Sequence, residues 1–266
     1  MWVARAAKEV DLTDFKASRS WLLRMKRSSR IVSRKITKFV SRAQLVDKDT
    51  IVASASSFVS DTKPLIEEAG KQNAWNSDQT GITLEMHSGR TLDYRGEKSV
   101  EAVVQSVNST THSCTLQPTI SCDGQILEPS LLVLQEKDGE FGPRVRETLF
   151  NAPNLLVTAS VSGKCTTAVL ERWSTQIIEP NLTNKSILLL DVYGGFNRAL
   201  SQNNDIQICR IPKHTTDIIQ PLYVYFFRPF MNFLKYISDT VLLMDIYCIL
   251  HVRNNVIRMI SLDMNC

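Results

Sequence analysis

The sequence predicts an α/β domain built on a sheet of mixed strand direction and flanked by helices, with a short basic helical region in front of it. Three observations carry this expectation. From residue 74 the chain is a series of short apolar runs separated by turn signals, first strand after strand and then strand alternating with helix. One run, KSILLLD at 185–191, places four consecutive apolar residues before an acid, as a central strand buried on both faces requires. The cations are concentrated at the front: residues 1–43 hold 12 Lys or Arg against 3 Asp or Glu, a net of +9, whereas residues 44–266 hold 19 against 24, a net of −5.

Composition sets the bounds. At 266 residues the chain has room for two folding units at most, and 43% hydrophobic residues with only 10 Gly and 9 Pro exclude low-complexity and collagen-like classes. The six cysteines, at 114, 122, 165, 209, 248 and 266, include no closely spaced pair and have no His at ligand spacing, which argues against structural zinc. Arg5, Lys8, Glu9 and Asp11 leave no apolar leader core after Met1, so the thiols are read as reduced. The most apolar region, 218–252, is interrupted by Arg228, Lys235, Asp239 and Asp245, and no uncharged run reaches the roughly 18 residues of a bilayer span. No membrane partner is expected.

Taken in order, residues 15–31 spell a short amphipathic helix. Ser18 is a suitable N-cap, Trp21, Leu22 and Met25 share one face, and Arg24, Lys26, Arg27 and Arg30 fill the rest. Arg34, Lys35, Lys38 and Arg42 prolong the cationic surface, a density suited to duplex phosphates although a solvated helix face would look similar. Residues 44–72 are polar without a sustained period and read as a linker, with a candidate strand at 50–55. Strands are then expected at 74–78, 81–86, 113–121, 131–135, 155–160, 185–191 and 206–211, and helices at 165–177 and 219–236. Asp123-Gly124 between apolar runs marks a hairpin turn. The acid closing 185–191, Asp191, stands at the carboxyl end of its strand, where ligand chemistry collects in open α/β sheets, although an acid there also serves simply to cap the next turn.

With these segments in place the chain resembles the pogo and Tigger branch of the Tc1/mariner transposases. ASRSWLLRMKRSSRI at 17–31 looks like the second helix-turn-helix of the centromere-protein-B type. Asn76-Ser77-Asp78-Gln79-Thr80-Gly81 matches the motif that carries the first catalytic aspartate, LLLDVYGGF at 188–196 matches the strand that carries the second, and PKHTTDIIQPL at 212–222 is similar to the segment that leads into the third acid. The resemblance implies a ribonuclease H-like DDE endonuclease domain over 73–236, a partial helix-turn-helix over 1–43 and a helical tail over 237–266. It also implies that the first helix-turn-helix of the family and part of the second lie outside a chain whose Met1 falls within that region.

The departure from the family pattern is chemical. Directly after Gln220-Pro221-Leu222 stands Tyr223, where the pattern calls for an acid. The family chemistry is implied to use divalent metal ions held by carboxylates, with Asp78 and Asp191 as the surviving metal and catalytic residues. A phenol, neutral at pH 7 with an ordinary pKa of about 10, is a poor ligand for Mg²⁺, so magnesium binding is expected to be weak or lost. Asp217 and Glu85 are the nearest substitutes in sequence. The expected function is therefore a transposase-derived, nuclear DNA-binding protein whose DDE domain has lost most or all strand cleavage, with double-stranded DNA as partner, pairing of two copies as in related cores, and no small-molecule substrate. The alternatives are a residually active Mg-dependent endonuclease and an oligomerisation domain that does not bind DNA.

Overall fold

The computed structural model describes residues 18–31, 48–87, 104–111, 113–183, 185–200, 206–244 and 247–264. The chain divides into two units, Met1–Lys48 and Asp49–Cys266. In the first, α1 spans Arg19–Ser28, and Ser18 Oγ accepts from Trp21 N at 3.1 Å, the cap expected from the sequence. Trp21, Leu22 and Met25 are half-buried, while Arg24, Lys26, Arg27 and Arg30 are exposed. Arg34, Lys35, Lys38 and Arg42 lie outside the described residues.

The second unit opens with a correction. Residues 48–69, expected as linker with a strand at 50–55, form a 22-residue helix, α2 (Lys48–Ala69). Its inward stripe runs through Ile51, Ala55, Phe58, Thr62, Leu65, Ile66 and Ala69 at spacings of three and four, but Ala and Thr dilute the apolar signal and Pro64 inside the helix argues against it. Tertiary burial outweighs those propensities, because Phe58, Leu65, Ile66 and Ala69 pack on Ala74, Ile187, Leu189, Cys209 and Ile211 of the adjoining sheet.

Eight strands follow: β1 (Ala74–Ser77), β2 (Thr80–Thr83), β3 (Ser113–Gln117), β4 (Thr119–Ser121), β5 (Ser130–Gln135), β6 (Leu155–Ser160), β7 (Ser186–Leu190) and β8 (Ile206–Arg210). They form two four-stranded sheets, ordered β4-β1-β7-β8 and β2-β3-β5-β6. In the first, β1 is antiparallel to β4 and parallel to β7, and β7 is parallel to β8. In the second, β2, β3 and β5 are antiparallel in turn, and β5 and β6 are parallel. The run expected as one strand at 113–121 is split at Pro118, which has no N–H for a ladder bond, and the chain changes sheets there. Ser77 stitches the seam: its Oγ donates to Pro118 O at 3.0 Å and accepts from Thr119 Oγ1 at 3.0 Å. The turn at Asp123-Gly124 forms as expected, with Gly124 at φ +90° and its N–H donating to Ser121 O.

Helices cover the sheets. The remaining described ones are α3 (Pro143–Thr148), α4 (Thr167–Trp173), α5 (Gly195–Ala199), α6 (Thr216–Ile219), α7 (Phe227–Met244) and α8 (Arg253–Met264). Trp173 of α4 is fully buried and meets Phe196 of α5 edge-on at 5.6 Å, beneath Leu188 and Leu190. Gly195 permits this approach, since a Cβ there would stand 2.9 Å from Leu170 Cδ1. The helix expected at 219–236 is displaced. α6 ends before Gln220-Pro221, a π-helical turn spans Leu222–Phe226, and α7 continues past 236 to Met244, because a residue before proline avoids helical backbone and the chain must restart. The boundary expected at 236 thus falls inside α7. Leu234 of α7 and Val256, Ile257 and Ile260 of α8 share one core with Ile82, Leu116 and Leu132, so 237–264 is integral to the unit rather than a tail. Among the described residues no helix is long and apolar enough to cross a membrane.

Candidate metal centre

Parallel pairing of β1 with β7 aligns Trp75 with Leu188 and Asn76 with Leu189. Continued two residues past that last pair, the register sets Asp78 beside Asp191 at the carboxyl ends of adjacent central strands. The strands hold this register because their inward residues, Trp75, Leu188 and Leu190, are buried under α4 while Ala74, Ile187 and Leu189 are buried under α2.

The two carboxylates feel each other. Burial, reinforced by the charge of Asp191, pushes the Asp78 carboxyl up to about 6, against the N–H of Gln79, which donates to Oδ1 at 2.8 Å, and the side chain of Gln220. Asp191 Oδ1 accepts from Val192 N at 2.6 Å. From β8, Arg210 Nη1 donates to the backbone oxygen of Asp191 at 3.4 Å, and burial lowers the pKa of its guanidinium. At pH 7 Asp78, above its raised pKa, is still mostly ionised next to the Asp191 side chain.

Tyr223 sits in the π-helical turn and is 51% exposed. The turn is tied to β1 through a residue that sequence reasoning missed. Asn76, almost wholly buried, donates from Nδ2 to Leu189 O at 3.0 Å and accepts at Oδ1 from Leu222 N at 3.0 Å. One side chain thus joins β1, β7 and the segment that carries Tyr223. Only the placement of an Asn two residues before an acid hinted at it, since its partners are 113 and 146 residues away in sequence.

Neither substitute acid completes a trio with Asp78 and Asp191. Glu85 is buried with its oxygens clamped by backbone amides, Oε1 accepting from Gln105 N at 2.7 Å and Oε2 from Ser106 N at 3.0 Å, which gives it a loop-fastening role. Asp217 is exposed in the first turn of α6. Among the described residues no three His, Cys, Asp or Glu side chains converge as a metal site.

Sequence reasoning also missed Gln220. It is fully buried, its side chain faces the Asp78 carboxylate closely enough to favour the charged form, and neither Nε2 nor Oε1 makes a hydrogen bond of ordinary length. Two adjacent carboxylates and an orphaned amide oxygen are hard donors that suit a divalent cation of the magnesium type, which takes one or two carboxylates and keeps several waters.

The geometry agrees with comparisons to known proteins. Residues 129–243, which include Asp191 and Tyr223, match the family model described as DDE superfamily endonuclease. No curated protein matches the chain. Among solved structures, the Mos1 strand transfer complex aligns with 98% of this chain and 75% of its own at 11% identity and a TM-score of 0.51. A pre-cleavage Mos1 transpososome aligns with 97% and 75% at 8% identity and a TM-score of 0.50. The fold is therefore ribonuclease H-like, and residues 129–243 are similar to the DDE superfamily endonuclease domain.

Proposed function

We propose that this protein is a transposase-derived DNA-binding protein of the pogo and Tigger branch, acting in the nucleus, whose DDE domain has lost most or all strand cleavage. What supports this reading is the half-exposed Tyr223 directly after Gln220-Pro221-Leu222, where the resemblance calls for an acid, in a chain whose Asp78 and Asp191 end adjacent strands. DNA as partner is supported by the fold it shares with Mos1 assemblies described as a transpososome and a strand transfer complex. The exposed cations Arg24, Lys26, Arg27 and Arg30 of α1 supply phosphate contacts, with Arg34, Lys35 and Lys38 adding to them.

If magnesium binds, Asp78 and Asp191 hold it, and its chemistry is to activate the attacking oxygen and stabilise the leaving one. The chain's own residues set the pair's geometry: Asn76 fixes the strand ends against the Leu222 turn, and Gln79 N–H and Val192 N–H orient one oxygen of each acid. Tyr223 contributes no anion to it.

Binding to duplex DNA is expected to weaken by at least about tenfold between 50 and 200 mM salt, since each neutralised phosphate adds to the slope. Filter binding or fluorescence anisotropy across that range checks it, and a flat salt response defeats the reading. A second reading, residual endonuclease activity, has the intact Asp78–Asp191 pair in its favour. Supercoiled plasmid with Mg²⁺ or Mn²⁺ separates the two. The proposed reading expects no nicking by the wild type, whereas nicking that disappears in Asp191→Ala establishes an enzyme. Nicking gained by Tyr223→Asp shows that a single ligand was lost.

A further inference from the structure

We propose that Gln220 is the third protein group of a divalent-cation site formed with Asp78 and Asp191, its neutral carboxamide contributing an oxygen that Tyr223, at the position of the third acid, does not. The site goes beyond the DNA-binding reading and holds whether or not strand cleavage survives.

The first argument is the state of the amide itself. A primary carboxamide has two donors and two acceptor lone pairs, and burying it costs stability for every group left without a partner. Gln220 is fully buried with neither end of its amide making a hydrogen bond of ordinary length, whereas the buried Thr115 and Asn154 side chains donate to Gly163 O at 2.7 Å and Ser261 O at 2.9 Å. A ligand that accepts the oxygen and leaves the NH₂ free for a carboxylate satisfies both ends.

The second argument is placement. Gln220 directly precedes Pro221, whose ring disfavours helical backbone at Gln220, and the residue stands extended at φ −77° and ψ 114° between α6 and the π-helical turn. Two residues on, Leu222 N–H is bonded to Asn76, which itself lies two residues before Asp78. The Gln-Pro-Leu segment is therefore pinned against the strand that carries the first acid, and the Gln220 side chain faces that acid. Tyr223 lies beyond the pin with half its surface in solvent.

The third argument is charge. Two neighbouring carboxylates attract a cation that neither the phenol of Tyr223 nor the amide neutralises, and an amide oxygen is a hard donor of the kind found in calcium and magnesium sites. A site of two anions and one neutral oxygen binds more weakly than one of three anions.

The test uses the full chain and Mn²⁺ alone, with free ion followed by electron paramagnetic resonance and thermal melting recorded with and without the ion. The wild type is expected to bind Mn²⁺ and to melt higher in its presence. Gln220→Leu should stay folded and melt no lower without the ion, because it replaces an unsatisfied amide with a group of similar size. It should bind Mn²⁺ about tenfold more weakly and lose the melting increment. Gln220→Glu should bind at least about tenfold more tightly, and Tyr223→Phe should match the wild type. Equal affinity in Gln220→Leu and wild type overturns the proposal, as do unchanged affinity in Gln220→Glu, binding that survives Asp191→Ala, and absence of binding in the wild type. If the leucine variant does not fold, Gln220→Glu decides the matter alone. A flat salt response with DNA would sink the DNA-binding reading while leaving these results standing.

Discussion

Asn76→Ala is expected to destabilise the Asp49–Cys266 unit by about 3 kcal/mol, lowering the urea midpoint by about 1 M. The effect is large because the side chain does two jobs from a buried position. Its Nδ2 satisfies Leu189 O on β7, and its Oδ1 satisfies Leu222 N at the start of the π-helical turn. Alanine leaves a buried donor and a buried acceptor unmatched, each at about 1–3 kcal/mol, and opens a small void between strand and turn. Asn76→Asp tests the assignment of the amide ends. It keeps an acceptor for Leu222 N but offers no donor to Leu189 O, and it adds a third negative charge near Asp78 and Asp191. It should therefore be no more stable than the alanine variant above pH 7, and should recover as the pH is lowered. Equilibrium urea unfolding at pH 5 and 8 checks both variants, and a midpoint within about 0.2 M of wild type for Asn76→Ala would remove the brace from the account.

The second large effect is on pH dependence and arises at Asp263 of α8. This residue is 8% exposed, its Oδ2 has no hydrogen-bond partner, and burial pushes its carboxyl up to about 7. The folded chain therefore holds a proton that the unfolded chain releases near pH 4, so stability falls as pH rises from about 4 to 7, and the full cost is present above that. Asp78, raised to about 6, shifts stability in the same direction over a narrower window. For Asp263 the difference is on the order of 4 kcal/mol at pH 8, at about 1.4 kcal/mol for each pH unit of displacement. Asp263→Asn should melt about 5–10 °C above the wild type at pH 8 and close to it at pH 4.5, leaving the smaller slope of Asp78. Differential scanning calorimetry across that range measures it. A wild type that becomes more stable from pH 5 to 8 would contradict the sign.

What was legible in the sequence follows from the range of the interactions involved. Asp191 was legible as a strand-end acid because it closes the apolar run at 187–190, whose burial dictates a central strand, whereas Asp78, after Ala74-Trp75-Asn76-Ser77, was marked only by the resemblance of its motif. The Ser18 cap and the turn at Gly124 were readable because both are settled within four residues. The α2 helix was not, since its buried stripe is built partly from Ala and Thr and is fixed by a sheet whose main strands lie more than 100 residues further on. Asn76 and Gln220 were hidden for the same reason: a polar residue shows its role only through the groups it faces, and theirs come from other parts of the chain. The split of 113–121 was half legible. Pro118 announced a break in pairing but not that the chain would cross to a different sheet.

The paired acids at the strand ends also bear on how such a chain changes over generations. Held side by side and partly dehydrated, they oppose folding at neutral pH, as the raised proton affinity of Asp78 records. Architecture gives no reason to keep a third anion there; removing one eases the repulsion and leaves every packed layer intact. On the reading proposed above, a tyrosine at that position leaves every packed layer intact, so the shape outlasts the chemistry.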